Sequence, residues 1–155
     1  MSQPRVLLFK GKGMISRLIR WQTNGKYSHA ALQLPSGRII EAWHKPAKVR
    51  LRGRLDDWSN VEAFDVEGMT PYKWDKATEW IEQQIGKKYD FSGVFRFLSR
   101  RRKDRDDKWF CSELVFQAVK EGGVDLLERI QCSQVSPTVL SFSPLLKKSE
   151  PYKQS

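Results

Sequence analysis

Tyr27-Ser28-His29-Ala30-Ala31-Leu32-Gln33-Leu34-Pro35-Ser36-Gly37-Arg38-Ile39-Ile40-Glu41-Ala42-Trp43-His44 is the stretch whose reading decides the fold. Its two apolar runs, 27–34 and 38–44, read as antiparallel strands on either side of Pro35-Ser36-Gly37, with Gly37 free to take a positive φ. A three-residue loop pairs Leu34 with Arg38, Ala31 with Glu41 and His29 with Trp43. Side chains alternate between faces, so His29 and Glu41 then share a face one diagonal apart. A four-residue loop shifts the register by one, turns Glu41 to the other face and sets His44 toward His29. The first register is favoured, because a left-handed glycine closing a three-residue loop is common chemistry. His44 stays as the rival.

Outward from the hairpin, residues 5–10 (RVLLFK) read as a strand bounded by Pro4 and Gly11. Residues 14–22 carry apolar side chains at helical spacing. Lys48–Arg52 and Val61–Val66 are further strand candidates. A helix is expected from Pro71 to about Ile85, with Trp74, Ala77, Trp80, Ile81 and Ile85 on one face and Gly86 as its cap. Residues 90–98 could form a short helix, and residues 100–108 a charged loop. A second strong helix is expected over 109–121, stopped by Gly122-Gly123. Ser136 before Pro137 reads as the N-cap of a further helical turn. The polar end from Lys147 reads as fraying. The element order implies an α+β fold, with a domain over residues 1–148 and a disordered tail over 149–155.

The chain has 155 residues, a length that fits one domain. No apolar run is long enough to span a membrane, and no signal peptide is read at the start, so a cytoplasmic setting is expected. Lys plus Arg is 28 and Asp plus Glu is 18, a formal net charge of +10. That balance favours anionic partners. The densest basic run, 100–108, also contains Asp104, Asp106 and Asp107, so it reads as a solvated loop rather than a phosphate-binding arm. No nucleic-acid recognition motif is present, and nucleic acid is not expected as a partner. The two cysteines and two histidines lack zinc-site spacing, so neither metal nor cofactor is expected.

The chemistry concentrates at Cys111, in Trp109-Phe110-Cys111-Ser112-Glu113-Leu114-Val115. A helix that begins here offers its free N–H groups and positive dipole end to the sulfur, which favours thiolate over thiol. Those N–H groups could also hold an oxyanion. His29, on a rigid strand, is the available base, and Glu41 or His44 the group to orient it. Tyr27 and Ser28 could contribute to the pocket. Glu113 reads as a dipole-favourable residue of the first turn, and Cys132 as structural.

Residues 14–32 (MISRLIRWQTNGKYSHAAL), 38–43 (RIIEAW), 86–90 (GKKYD) and 110–115 (FCSELV) resemble the circularly permuted, NlpC-type papain-like amidases of the YiiX and YaeF-like group. The resemblance spans most of residues 5–145. It implies a permuted papain-like fold in which an antiparallel sheet or half-barrel packs on the Cys-bearing helix. It further implies Cys111 as nucleophile, His29 as general base, Glu41 as the orienting residue and Tyr89 beside the site. Ser112, next to the nucleophile, joins Tyr27, Ser28 and Tyr89 as a substrate or oxyanion candidate. The function expected is hydrolysis of an amide or ester through a thioester. Relatives act on peptidoglycan stem peptides, N-acyl groups or lipids, and the basic run before Cys111 implies an anionic example. The alternative is a weakly active or inactive basic module on the same fold, binding an anionic polymer or membrane surface.

Overall fold

The computed structural model describes residues 3–11, 13, 17, 19, 20, 25–91 and 107–150. Among the described residues eight strands form one sheet: β1 Arg5–Phe9, β2 His29–Gln33, β3 Ile39–Trp43, β4 Lys48–Arg52, β5 Val61–Val66, β6 Lys88–Tyr89, β7 Lys108–Trp109 and β8 Leu146–Ser149. Their spatial order is β7-β6-β4-β3-β2-β1-β5-β8. Every pairing is antiparallel except the short β6–β7 contact, which is parallel. Helix α1 covers Pro71–Gln83, α2 covers Cys111–Gly122 and α3 covers Pro137–Ser141. The class is α+β, with the sheet curled into a half-barrel.

The hairpin adopts the three-residue register. Leu32 pairs with Ile40 and Gln33 with Ile39. The Leu34 amide donates to the Arg38 carbonyl at 2.8 Å, and Gly37 takes φ +84°. Alternation then divides the core. Val6, Leu8, Ala30, Leu32, Ile40, Ala42 and Val49 join the cluster that contains Trp74, Ala77 and Ile81 of α1 and Leu114, Val115 and Ala118 of α2. Leu7, Ala31, Ile39 and Ala63 point to the opposite face and pack with Leu55. Each fully buried Val, Leu or Ile side chain among them contributes about 1.5–3 kcal/mol.

Helix α1 begins after Thr70, whose hydroxyl accepts from the Lys73 amide, and Pro71 fills the first turn. It ends at Gln83, short of the expected Ile85, because the Gln84 amide is already in a closing turn and Gly86 donates instead to the Val49 carbonyl of β4. The second helix also starts later than expected. Trp109 belongs to β7, Phe110 is the N-cap, and Cys111 is the first helical residue. Trp109 leaves the helix because its indole N–H donates to Gln84 and its ring packs edge-on against Trp80, both at the end of α1. The positive φ of Gly123, +107°, stops α2 as the glycine pair implied. Ser136 caps α3 by accepting from the Val139 amide at 3.0 Å.

The end of the chain departs furthest from expectation. Residues 146–149 do not fray but form β8 along β5. Leu146 is buried, while Lys147 and Lys148 reach Glu67 and Glu62. Charged side chains on an edge strand conceal its pairing in the sequence and discourage pairing with another molecule. The expected helix over 14–22, the short helix over 90–98, the basic loop over 100–108 and the tail beyond residue 150 lie wholly or largely outside the described residues. Asp90 and Phe91 are described, and neither is helical.

Candidate active site

His29 is the first residue of β2, and Cys111 the first of α2, a helix that packs across β2 and β3. The Cys111 sulfur lies near enough to the His29 ring to bear on its charge. On the other side of that ring, Nε2–H donates to Glu41 Oε2 at 2.6 Å. Nε2 is thus committed to Glu41, which leaves Nδ1 for the thiol. The structure therefore brings Cys111, His29 and Glu41 together. Cys111 is 1% exposed, His29 7% and Glu41 0%.

Several contacts fix the imidazole plane. Phe9, opposite His29 in the β1–β2 pairing, packs its ring 5.1 Å from the imidazole centre. Trp43 meets it edge-on at 4.8 Å. On the sulfur side, Ser112 Oγ donates to the Val135 carbonyl at 2.6 Å and ties the start of α2 to the following segment. No side chain caps α2, and its first intrahelical bond runs from the Leu114 amide to the Phe110 carbonyl. The Cys111 and Ser112 amides therefore precede the helical ladder.

The electrostatics follow from this packing. Burial opposes a charge on His29, but hydrogen bonds to Cys111 and Glu41, and the charges of both, outweigh it and raise the imidazole to about 9. Burial likewise pushes Glu41 up. It is outweighed first by His29 and then by Arg50 and Arg52, which together bring the carboxyl down to about 2. Tyr89 is raised by burial and by the charges of Cys111 and Glu113. Tyr89 also carries an aromatic edge outward: its ring meets Phe91, which is 48% exposed.

The other sequence candidates have different partners. Tyr27 directs its hydroxyl at Glu62. Ser28 Oγ accepts from the Gly11 amide at 3.0 Å and donates to the Phe9 carbonyl. These two side chains, like Ser112, are engaged in holding the framework. His44 lies against Trp43, and the hairpin register sets Glu41 rather than His44 against His29. Its imidazole is pushed down by burial and by the positive charges of His29, Lys45 and Arg50. Cys132 donates its thiol to the Glu113 carbonyl.

Sequence reasoning missed two residues, Arg50 and Arg52. Both reach Glu41 Oε1: Arg50 through Nε at 3.2 Å and Nη2 at 2.9 Å, Arg52 through Nη1 at 3.3 Å. The alternation Lys48-Val49-Arg50-Leu51-Arg52 was the available signal, since it puts three cations on one strand face.

No family model matches the sequence, and no curated protein matches it. Among solved structures, the chain is similar to metalloprotein YiiX from Escherichia coli O157:H7, described as DUF1105, with 19% identity and a TM-score of 0.74. The match covers 96% of this chain and 96% of that one. At this identity the likeness shows a YiiX-like fold. The donor set here does not fit a metal ion. Among the described residues no group of three or more His, Cys, Asp or Glu side chains is arranged to hold one. The carboxylate beside His29 has its second oxygen filled by arginine N–H groups.

Proposed function

We propose that this chain is a thiol hydrolase on a permuted papain-like fold of the NlpC kind, cleaving an amide or ester through a thioester. One observation carries the reading: Glu41 holds Nε2 of the buried His29 at 2.6 Å, and Cys111, buried at the start of α2, bears on the same ring. The order of its parts, base strand before nucleophile helix, agrees with the permuted arrangement. His29 Nδ1 takes the thiol proton, and the sulfur attacks the carbonyl carbon. The Cys111 amide and a second donor hold the developing oxyanion. The imidazolium protonates the leaving amine or alcohol. Neutral His29 then removes a proton from water, which attacks the thioester and restores the thiol. General-base assistance of this kind is worth about 10²–10⁴-fold.

The net charge of +10 supports an anionic substrate, a peptide, N-acyl compound or lipid carrying carboxylate or phosphate. The test is alkylation by iodoacetamide across pH in wild type, His29→Ala and Cys111→Ser, with the modified cysteine located by mass spectrometry. The expected result is one fast thiol at pH 7, Cys111, reacting at least about tenfold faster than Cys132 and slowed to the Cys132 rate by His29→Ala. Equal rates for Cys111 and Cys132 in the wild type would overturn the enzyme and leave the basic binding module in its place.

A further inference from the structure

We infer that Arg50 and Arg52 are positioning residues for the Cys111–His29 pair: their N–H groups hold Glu41 as a carboxylate by one oxygen and so keep the ring proton of neutral His29 on Nε2, leaving Nδ1 as the base for the thiol. The inference rests on the proposed thiol chemistry and extends it to two residues that touch neither sulfur nor imidazole.

A carboxyl group as deeply buried as Glu41 is by itself more stable neutral. A neutral Glu41 would donate its O–H to His29 Nε2. The ring proton would then sit on Nδ1, and that nitrogen could not accept a proton from sulfur. An ionised Glu41 can only accept, so Nε2 must carry the proton and Nδ1 presents its lone pair to Cys111. The charge state and orientation of one carboxylate therefore select the useful tautomer.

Three guanidinium N–H groups, permanently charged, converge on Oε1 and leave Oε2 to His29. The sheet builds this arrangement in. Glu41 and Arg50 are direct partners across β3 and β4, and Arg52 stands two residues further along the same strand face. Trp43 braces both sides, with the Arg50 guanidinium 5.2 Å from its ring centre and its edge against His29. The groups that bear on the His29 charge are Glu41 from β3 and Cys111 from α2; Arg50 and Arg52 from β4 act on it through Glu41, and His44 feels the charge of His29 in turn. Tyr89 and Glu113 bear on Cys111.

The test reads the ring protons of His29 directly and does not depend on turnover. Nitrogen-15 spectra of the full chain contain two imidazoles, and His44→Gln assigns them. Wild type is compared at pH 7 with Arg50→Gln/Arg52→Gln and with Arg50→Lys/Arg52→Lys. Iodoacetamide rates are followed alongside at the same pH. His29 is expected with both ring nitrogens protonated beside a Glu41 carboxylate in wild type, and in part as the neutral Nδ1–H form beside a protonated Glu41 in the double glutamine variant. Alkylation of Cys111 is expected to fall about tenfold there, a fraction of the 10²–10⁴ that a general base supplies. The double lysine variant keeps the charge without the fork and should recover most of the rate. A folded double glutamine variant with the wild-type protonation of His29 would overturn the inference. If the double glutamine variant does not fold, Arg52→Gln alone must shift both readouts in the same direction, and unchanged values overturn it. Failure of the hydrolase reading looks different: Cys111 no faster than Cys132 in wild type, whatever protons His29 carries.

Discussion

At the scale of the residue, Glu41 carries more than its size suggests. It is the anion for one imidazole and two guanidinium groups, none of which has its full hydration. Glu41→Gln keeps the shape and removes the charge, and breaking a buried pair in this way costs about 3–5 kcal/mol. The sign of the pH dependence follows from the direction of its shift. The Glu41 carboxyl lies lower when folded, about 2 against an ordinary 4.5, so its contribution is fully present above 4.5 and drains as pH falls toward 2. The stability gap between wild type and Glu41→Gln, measured by denaturant titration, should therefore be widest near neutrality and close below pH 4.5. His29 runs the other way. Raised from 6.5 to about 9, its charge stabilises fully below 6.5, and that part is lost as pH rises through 9. His29 and Glu41 were legible from a single hairpin because period-two alternation and one glycine fix the register. Arg50 and Arg52 were not, because their role depends on which strand lies beside β3, and no local pattern states that neighbour.

At the scale of the element, α1 and α2 approach closely at Gly122. A Cβ there would stand 2.7 Å from the Lys73 carbonyl oxygen, 2.9 Å from Met69 Cε and 3.1 Å from Ala77 Cβ. Helix propensity alone favours Gly122→Ala by about 1 kcal/mol. The clash with backbone opposes it, and overpacking of this kind costs about 1–3 kcal/mol. The expected net effect is destabilisation, visible as a lower Tm, with a measurable loss of Cys111 reactivity because α1 positions Trp109 immediately before Cys111. A rise in Tm would show that the two helices can separate freely. The long elements were readable from their periodicity, as β4, β5 and α2 illustrate. The two-residue strands β6 and β7 were not, since two residues display no period. Trp109 was drawn into the helix reading because its apolar side chain fits either assignment, and only the bond to Gln84 decides between them.

At the scale of the whole molecule, the first and last strands lie on either side of β5. β8 covers the edge that β5 would otherwise expose, and the Arg5 guanidinium donates to the Glu150 carbonyl. Ending the chain after Leu145 removes the buried Leu146 and the ladder of β8. The loss of Leu146 alone is worth about 1.5–3 kcal/mol, and the bare edge invites pairing between molecules. Lower Tm and concentration-dependent light scattering are expected, and a truncated chain that stays monomeric with the wild-type Tm would contradict this role for β8. The charge excess that dominates the composition has a clear local use in Arg50 and Arg52, where two of the cations are turned inward on a carboxylate.

The order of the parts along the chain also sets a schedule. During synthesis the His29–Glu41 hairpin leaves the ribosome well before Cys111, by 111 − 41 = 70 residues. At about 5–20 residues per second that interval is roughly 3.5–14 s. The strand that carries His29 exists first, and the sulfur arrives late, into a sheet whose central strands have already been made. On the proposed thiol chemistry Cys111 gains its reactivity only when α2 docks on the sheet, and its alkylation would then serve as a clock for the last step of folding.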